Sequence, residues 1–89
     1  MQLKVTIEVW QKGRWYVARC PELDFISQGT SPREARHHLL EVIQIQFEEM
    51  GALGTLEDYL LECGYVRDNG TLVPQLELVS FERSAVQVA

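Results

Sequence analysis

The chain lacks most of what would announce an activity. Its two cysteines, Cys20 and Cys63, stand alone. They are too few for a disulfide framework and form no C-x-x-C pair. No apolar run approaches the roughly 20 residues that span a bilayer. Met1-Gln2-Leu3-Lys4-Val5 alternates instead of building a leader's apolar stretch. A cytoplasmic protein with reduced thiols, and no membrane partner, is expected. Positive charge is short as well. Eight Lys and Arg against 13 Asp and Glu leave a net charge of −5. Such a chain is repelled by phosphate backbones, which argues against DNA binding. No repeat, low-complexity tract or linker divides the 89 residues, so one domain over 1–89 is expected. A domain this short buries a modest share of its surface, and assembly into dimers or larger homo-oligomers would add stability.

What is present is clear periodicity. Leu3, Val5, Ile7 and Val9 alternate with Gln2, Lys4, Thr6 and Glu8, predicting a half-buried strand over 2–10. Gln11-Lys12-Gly13 reads as a turn. Arg14 to Cys20 reads as a second strand, with Tyr16, Ala18 and Cys20 on one face and Trp15, Val17 and Arg19 on the other. Pro21 ends that strand because it has no amide to donate. Phe25 to Gln28 is a short third strand closed by Gly29.

Ser31-Pro32-Arg33-Glu34 is a capping box with proline at the first helical position. It predicts a helix from Pro32 to about Met50, with Gly51 as its stop. Its apolar residues Ala35, Leu39, Leu40, Val42, Ile43, Phe47 and Met50 cover an arc of roughly 160°. A second short helix is expected over about 55–63, capped by Thr55 with Asp58 three residues on. Asp68-Asn69-Gly70 is a turn, and a last strand is expected over about 74–82. The tail to Val88 extends that strand, pairs with another subunit, or frays. The expected class is α+β, a small antiparallel sheet in the order β-β-β-α-α-β with one long helix packed on one face.

No constellation meets a catalytic requirement. His37 and His38 are adjacent on a helix and point about 100° apart, unlike an i, i+4 ligand pair. Glu8, Glu22, Asp24, Glu48 and Glu49 offer no spacing that converges carboxylates on a metal pair. Cys20 falls on the apolar side of its strand, where burial without a base leaves a thiol inert. Gly51-Ala52-Leu53-Gly54 lacks the lysine and preceding core strand of a phosphate loop. No catalytic residue, metal or cofactor is expected, and the chain is read as not an enzyme.

The remaining residues are aromatic. Trp10, Trp15 and Val17 fall on the outer face of the first hairpin, away from the helix layer, with Arg19 beside them. They either pack on one another across the ladder or form a partner-binding surface, since tryptophan and arginine carry much of the energy at interfaces. Stacking of single-stranded nucleic acid on the two tryptophans is a third reading.

Gly13 to Leu23, with Tyr16, Ala18 and the run Pro21-Glu22-Leu23, resembles the signature of the HicB-like antitoxins. Ser27-Gln28-Gly29-Thr30-Ser31-Pro32-Arg33-Glu34-Ala35 is similar to the next segment of that family, with Ser31 where threonine is usual and Glu34 and Ala35 matching. The resemblance covers roughly residues 4–47. It implies a partial ribonuclease-H-like fold, degenerate and without catalysis, that binds and masks a small HicA-type toxin which cleaves messenger RNA. A residual metal-dependent nuclease of the ribonuclease-H type is the alternative from another class. The family's usual Pro-Gly in the turn is Asp24-Phe25 here. After Thr55 there is neither a helix-turn-helix nor a ribbon-helix-helix, so operator binding is not carried over.

Overall fold

The structure is a computed structural model that describes residues 2–89. Its order is β1 (Glu8–Lys12), β2 (Trp15–Cys20), β3 (Phe25–Gly29), α1 (Pro32–Leu53), α2 (Leu56–Glu62), β4 (Tyr65–Asp68) and β5 (Thr71–Pro74). The class is α+β. β1, β2 and β3 make one antiparallel sheet in chain order, and β4 and β5 make a separate hairpin. The long helix packs chiefly over β3 and β2 on one face of the first sheet.

The first hairpin turns one residue later than its glycine suggested. Lys12 pairs with Trp15, so the turn is Gly13-Arg14, with Gly13 at φ 62°. A glycine at positive φ in the first central position is what a type II′ hairpin turn requires. The ladder therefore runs on through Lys12, and it begins only at Glu8. Residues 2–7, expected as strand, form no helix or strand and pair in no ladder. Leu3, Val5 and Ile7 instead pack their side chains against the core.

At the entry to α1, Ser31 is extended and its hydroxyl accepts from the Glu34 amide at 3.1 Å. The return contact goes one residue further back than in the usual box: the Glu34 carboxylate accepts from the Thr30 amide at 3.0 Å and from its hydroxyl at 3.1 Å. Those bonds hold the Glu34 carboxyl below its ordinary range. The helix passes through Gly51 and ends at Gly54, three residues beyond the expected stop. Thr55 precedes α2 as expected but makes no side-chain cap. Its own backbone is helical, φ −107° and ψ −2°, instead of the extended form that aims a capping hydroxyl at the first turn.

The core is where β2, α1 and the C-terminal elements meet. Ala18, Cys20, Ala35, Leu39, Leu60 and Tyr65 are fully or almost fully buried. Of the broad apolar arc on α1, Ala35, Leu39 and Ile43 are the buried line, and Ile45, outside the arc, is exposed. Close approach of helix to sheet depends on Gly29. A Cβ there would lie 2.6 Å from the Ala35 nitrogen, so only glycine fits where β3 meets the first turn of α1.

The expected last strand over about 74–82 is not formed. Asn69 and Gly70, at φ 51° and 81°, instead close a two-residue hairpin between β4 and β5, the turn for which Asn-Gly is the preferred pair. The last strand ends at Pro74, and residues 75–89 follow without helix or strand. No helix among the described residues is long and apolar enough to cross a membrane.

Candidate interaction face

Strand register decides which side chains share the face opposite α1. Glu8 lies across from Arg19, Trp10 from Val17 and Lys12 from Trp15. On the far side of β2, Val17 lies across from Gln28 and Arg19 from Ile26. With one side chain up and the next down, Trp10, Trp15, Val17 and Arg19 share the outer face, joined by Ile26. The structure thus brings the four sequence-selected residues together. Ile26 was not singled out, although the alternation in Phe25-Ile26-Ser27-Gln28 places it outward once Phe25 faces in.

This face is open. Trp10 is 54% exposed, Trp15 48% and Ile26 65%, while Val17 is half-buried between them. Glu8 organises one end. One carboxylate oxygen accepts from the Trp10 indole N–H at 3.1 Å and from Arg19 Nε at 3.2 Å. The ion pair is solvent-exposed and adds little stability. Its effect is positional, holding the indole and the guanidinium side by side. Lys12, Arg14 and Arg19 accompany a single acid, Glu8, over residues 8–20. The hairpin is therefore locally positive in a chain that is negative overall.

Several of the groups weighed for chemistry are engaged within the fold. Glu22 binds Thr6 twice, accepting from its amide at 2.9 Å and its hydroxyl at 2.6 Å. Burial works to raise the Glu22 carboxyl, but the Thr6 bonds outweigh it and the net shift is downward. Glu22 thereby ties residues 2–7 to the β2–β3 turn, a role its place in that turn did not reveal. Burial pushes the Cys20 thiol up to about 11. His37 contacts Glu41 at 2.6 Å. His38 Nδ1 lies 2.8 Å from the Gln28 carbonyl and so donates to it. Tyr59 and Tyr65 donate to the carbonyls of Leu23 and Lys4, both at 2.7 Å. Burial, followed by the neighbouring Cys63, pushes the Tyr59 phenol up to about 12. Among the described residues, no three His, Cys, Asp or Glu side chains gather as metal ligands.

A groove of about 370 Å³ opens between residues 6–8 and the start of the tail, walled by Thr6, Glu22, Tyr65, Pro74 and Leu76. Of its acids, Glu22 accepts from Thr6 through both carboxylate oxygens.

Compared with family models, with characterised proteins and with solved structures, the chain matches none.

Proposed function

We propose that the chain is a non-enzymatic, HicB-like binding protein that occludes a small HicA-type toxin through the outer face of its sheet. The observation that carries this reading is the exposed cluster of Trp10, Trp15 and Ile26 around Val17, on the face of the first sheet opposite α1. Side chains of this kind are typical anchors of protein interfaces. The likeness of residues 13–35 to the antitoxin signature supplies the class of partner. Titration calorimetry of the chain against a HicA-type toxin tests it. Binding is expected, and Trp15→Ala is expected to weaken it about 30-fold, the effect of a hot-spot anchor. No heat of binding, together with no rescue of growth on co-expression, refutes the reading.

A second reading is favoured by the local charge. Two tryptophans with Lys12, Arg14 and Arg19 suit the stacked bases and phosphates of a single strand. Tryptophan fluorescence that does not respond to an oligonucleotide at low salt removes it.

A further inference from the structure

We propose that the segment after β5 is a strand donor: residues 76–81 of one copy pair along the open edge of β1 in a second copy, each giving its tail to the other. This goes beyond the toxin reading, with which it shares only Trp10. The tail has the composition of a buried strand and forms no ladder in its own chain. Leu76, Val79 and Phe81 are 84%, 92% and 87% exposed. In extended chain, Leu76 and Leu78 point to one side, Val79 and Phe81 to the other. A strand apolar on both sides belongs between two apolar layers.

The β1 edge offers both layers. On the helix side Val9 is 38% exposed, because α1 lies over β3 and β2. On the outer side stands Trp10. The edge is also the one left unsatisfied. With Lys12–Trp15 closing a two-residue turn as a bonded pair, the antiparallel alternation makes Trp10–Val17 and Glu8–Arg19 the next bonded pairs. The backbone N–H and C=O of Val9 and Gln11 therefore point away from β2. The opposite edge is guarded: His38 holds the Gln28 carbonyl and Glu34 the Thr30 amide. An open edge is a template for another strand.

Charge fits the same occupant. The tail brings Glu77 and Glu82 against Arg83, and the hairpin brings Lys12, Arg14 and Arg19 against Glu8. The tail leaves the body at Gln75, whose amide donates to the Gly64 carbonyl at 3.0 Å. Beyond that point every residue is exposed, and Leu76, Glu77 and Leu78 run beside residues 4–8 of the same chain without forming a ladder. The six residues 76–81 and the five of β1 engage fewer residues per copy than the roughly 20–30 of a standard interface, so the dimer expected is a weak one.

Sedimentation equilibrium of the full chain from about 1 μM to about 1 mM reads the association. Its geometry is read by isotope-filtered NMR on a mixture of labelled and unlabelled copies. A dimer is expected, weakened at least tenfold by Val79→Asp with Phe81→Asp, with contacts between copies from the Phe81 ring to Val9 and Trp10. Both tail residues are exposed in a single copy, so their replacement leaves the monomer folded. A monomer throughout, a dimer indifferent to the tail substitutions, or Phe81 contacts ending on a second tail overturns the proposal.

Discussion

Replacing Gly29 with alanine tests the closest approach in the fold. A Cβ at this position meets the Ala35 nitrogen at 2.6 Å and the Glu34 carbonyl carbon and Cγ at 2.9 Å. The obstruction is mainly backbone, so no rotamer change relieves it, and the first turn of α1 must lift from β3. Overpacking of this sort costs about 1–3 kcal/mol. Lifting the turn also strains the Ser31 cap and the Glu34–Thr30 pair, where losing a cap costs about 0.5–2 kcal/mol. Against this, alanine restricts the unfolded chain and returns about 0.4–1 kcal/mol. The net loss is about 2–3 kcal/mol, a fall in Tm of roughly 10–20 °C for a domain of this size. With a urea m-value of about 1–3 kcal/mol/M the midpoint drops by about 1–2 M. Gly51→Ala is the control. That glycine lies within α1 with nothing inside 4 Å of its would-be Cβ, so alanine stabilises by up to about 1 kcal/mol through helix propensity. Both substitutions change the unfolded chain alike, and their difference isolates the contact at Gly29. If Gly29→Ala unfolds within about 0.5 kcal/mol of Gly51→Ala, a spread ordinary for surface sites, the close contact of β3 with α1 is wrong.

Glu22 gives the fold a pH dependence on the acid side. Its folded carboxyl lies below the ordinary value of 4.5, so its contribution is present above that value and lost as pH falls through the folded one. Glu22→Gln is expected to flatten the fall of the urea midpoint below about pH 4.5, and an unchanged slope refutes the Thr6 bonds as its source. At Cys20 the sign reverses. The buried thiol is raised from 9.0 to about 11, so its contribution is complete below the unfolded value and is lost as pH climbs toward about 11. Near pH 8, Ellman's reagent is expected to leave Cys20 unmodified until urea unfolds the chain; labelling at the unfolded rate contradicts its burial. Tyr65→Phe removes the hydrogen bond to the Lys4 carbonyl, at a cost of about 0.5–1.5 kcal/mol. Faster amide exchange over residues 4–7 is expected, and unchanged exchange means that another contact holds the segment.

Where a residue carries its own local mechanism, the sequence was enough. Ser31 and Glu34 marked the start of α1, and the alternation of β2 placed Tyr16, Ala18 and Cys20 inward. Where two signals competed, the stronger geometry prevailed. Gly51 resembled a stop, but a single helical glycine costs only about 1 kcal/mol, and α1 continues to the left-handed Gly54. Alternation after Pro74 resembled a strand. Asn69-Gly70, flanked by Val66 and Leu72, needs no distant partner and closes a hairpin before it. Contacts distant in sequence had no local signature. Thr6 to Glu22, Lys4 to Tyr65 and Leu23 to Tyr59 span 16, 61 and 36 residues, and nothing in either partner names the other. The outer face was legible for the same reason as β2, since parity alone separates Trp15, Val17 and Arg19 from the core. Parity also identifies what the fold leaves over. The tail carries the apolar residues of a strand, yet forms no ladder in its own chain. A pattern that is strand-like in sequence and unpaired in the fold is what a strand completed by a second molecule would leave in a single chain.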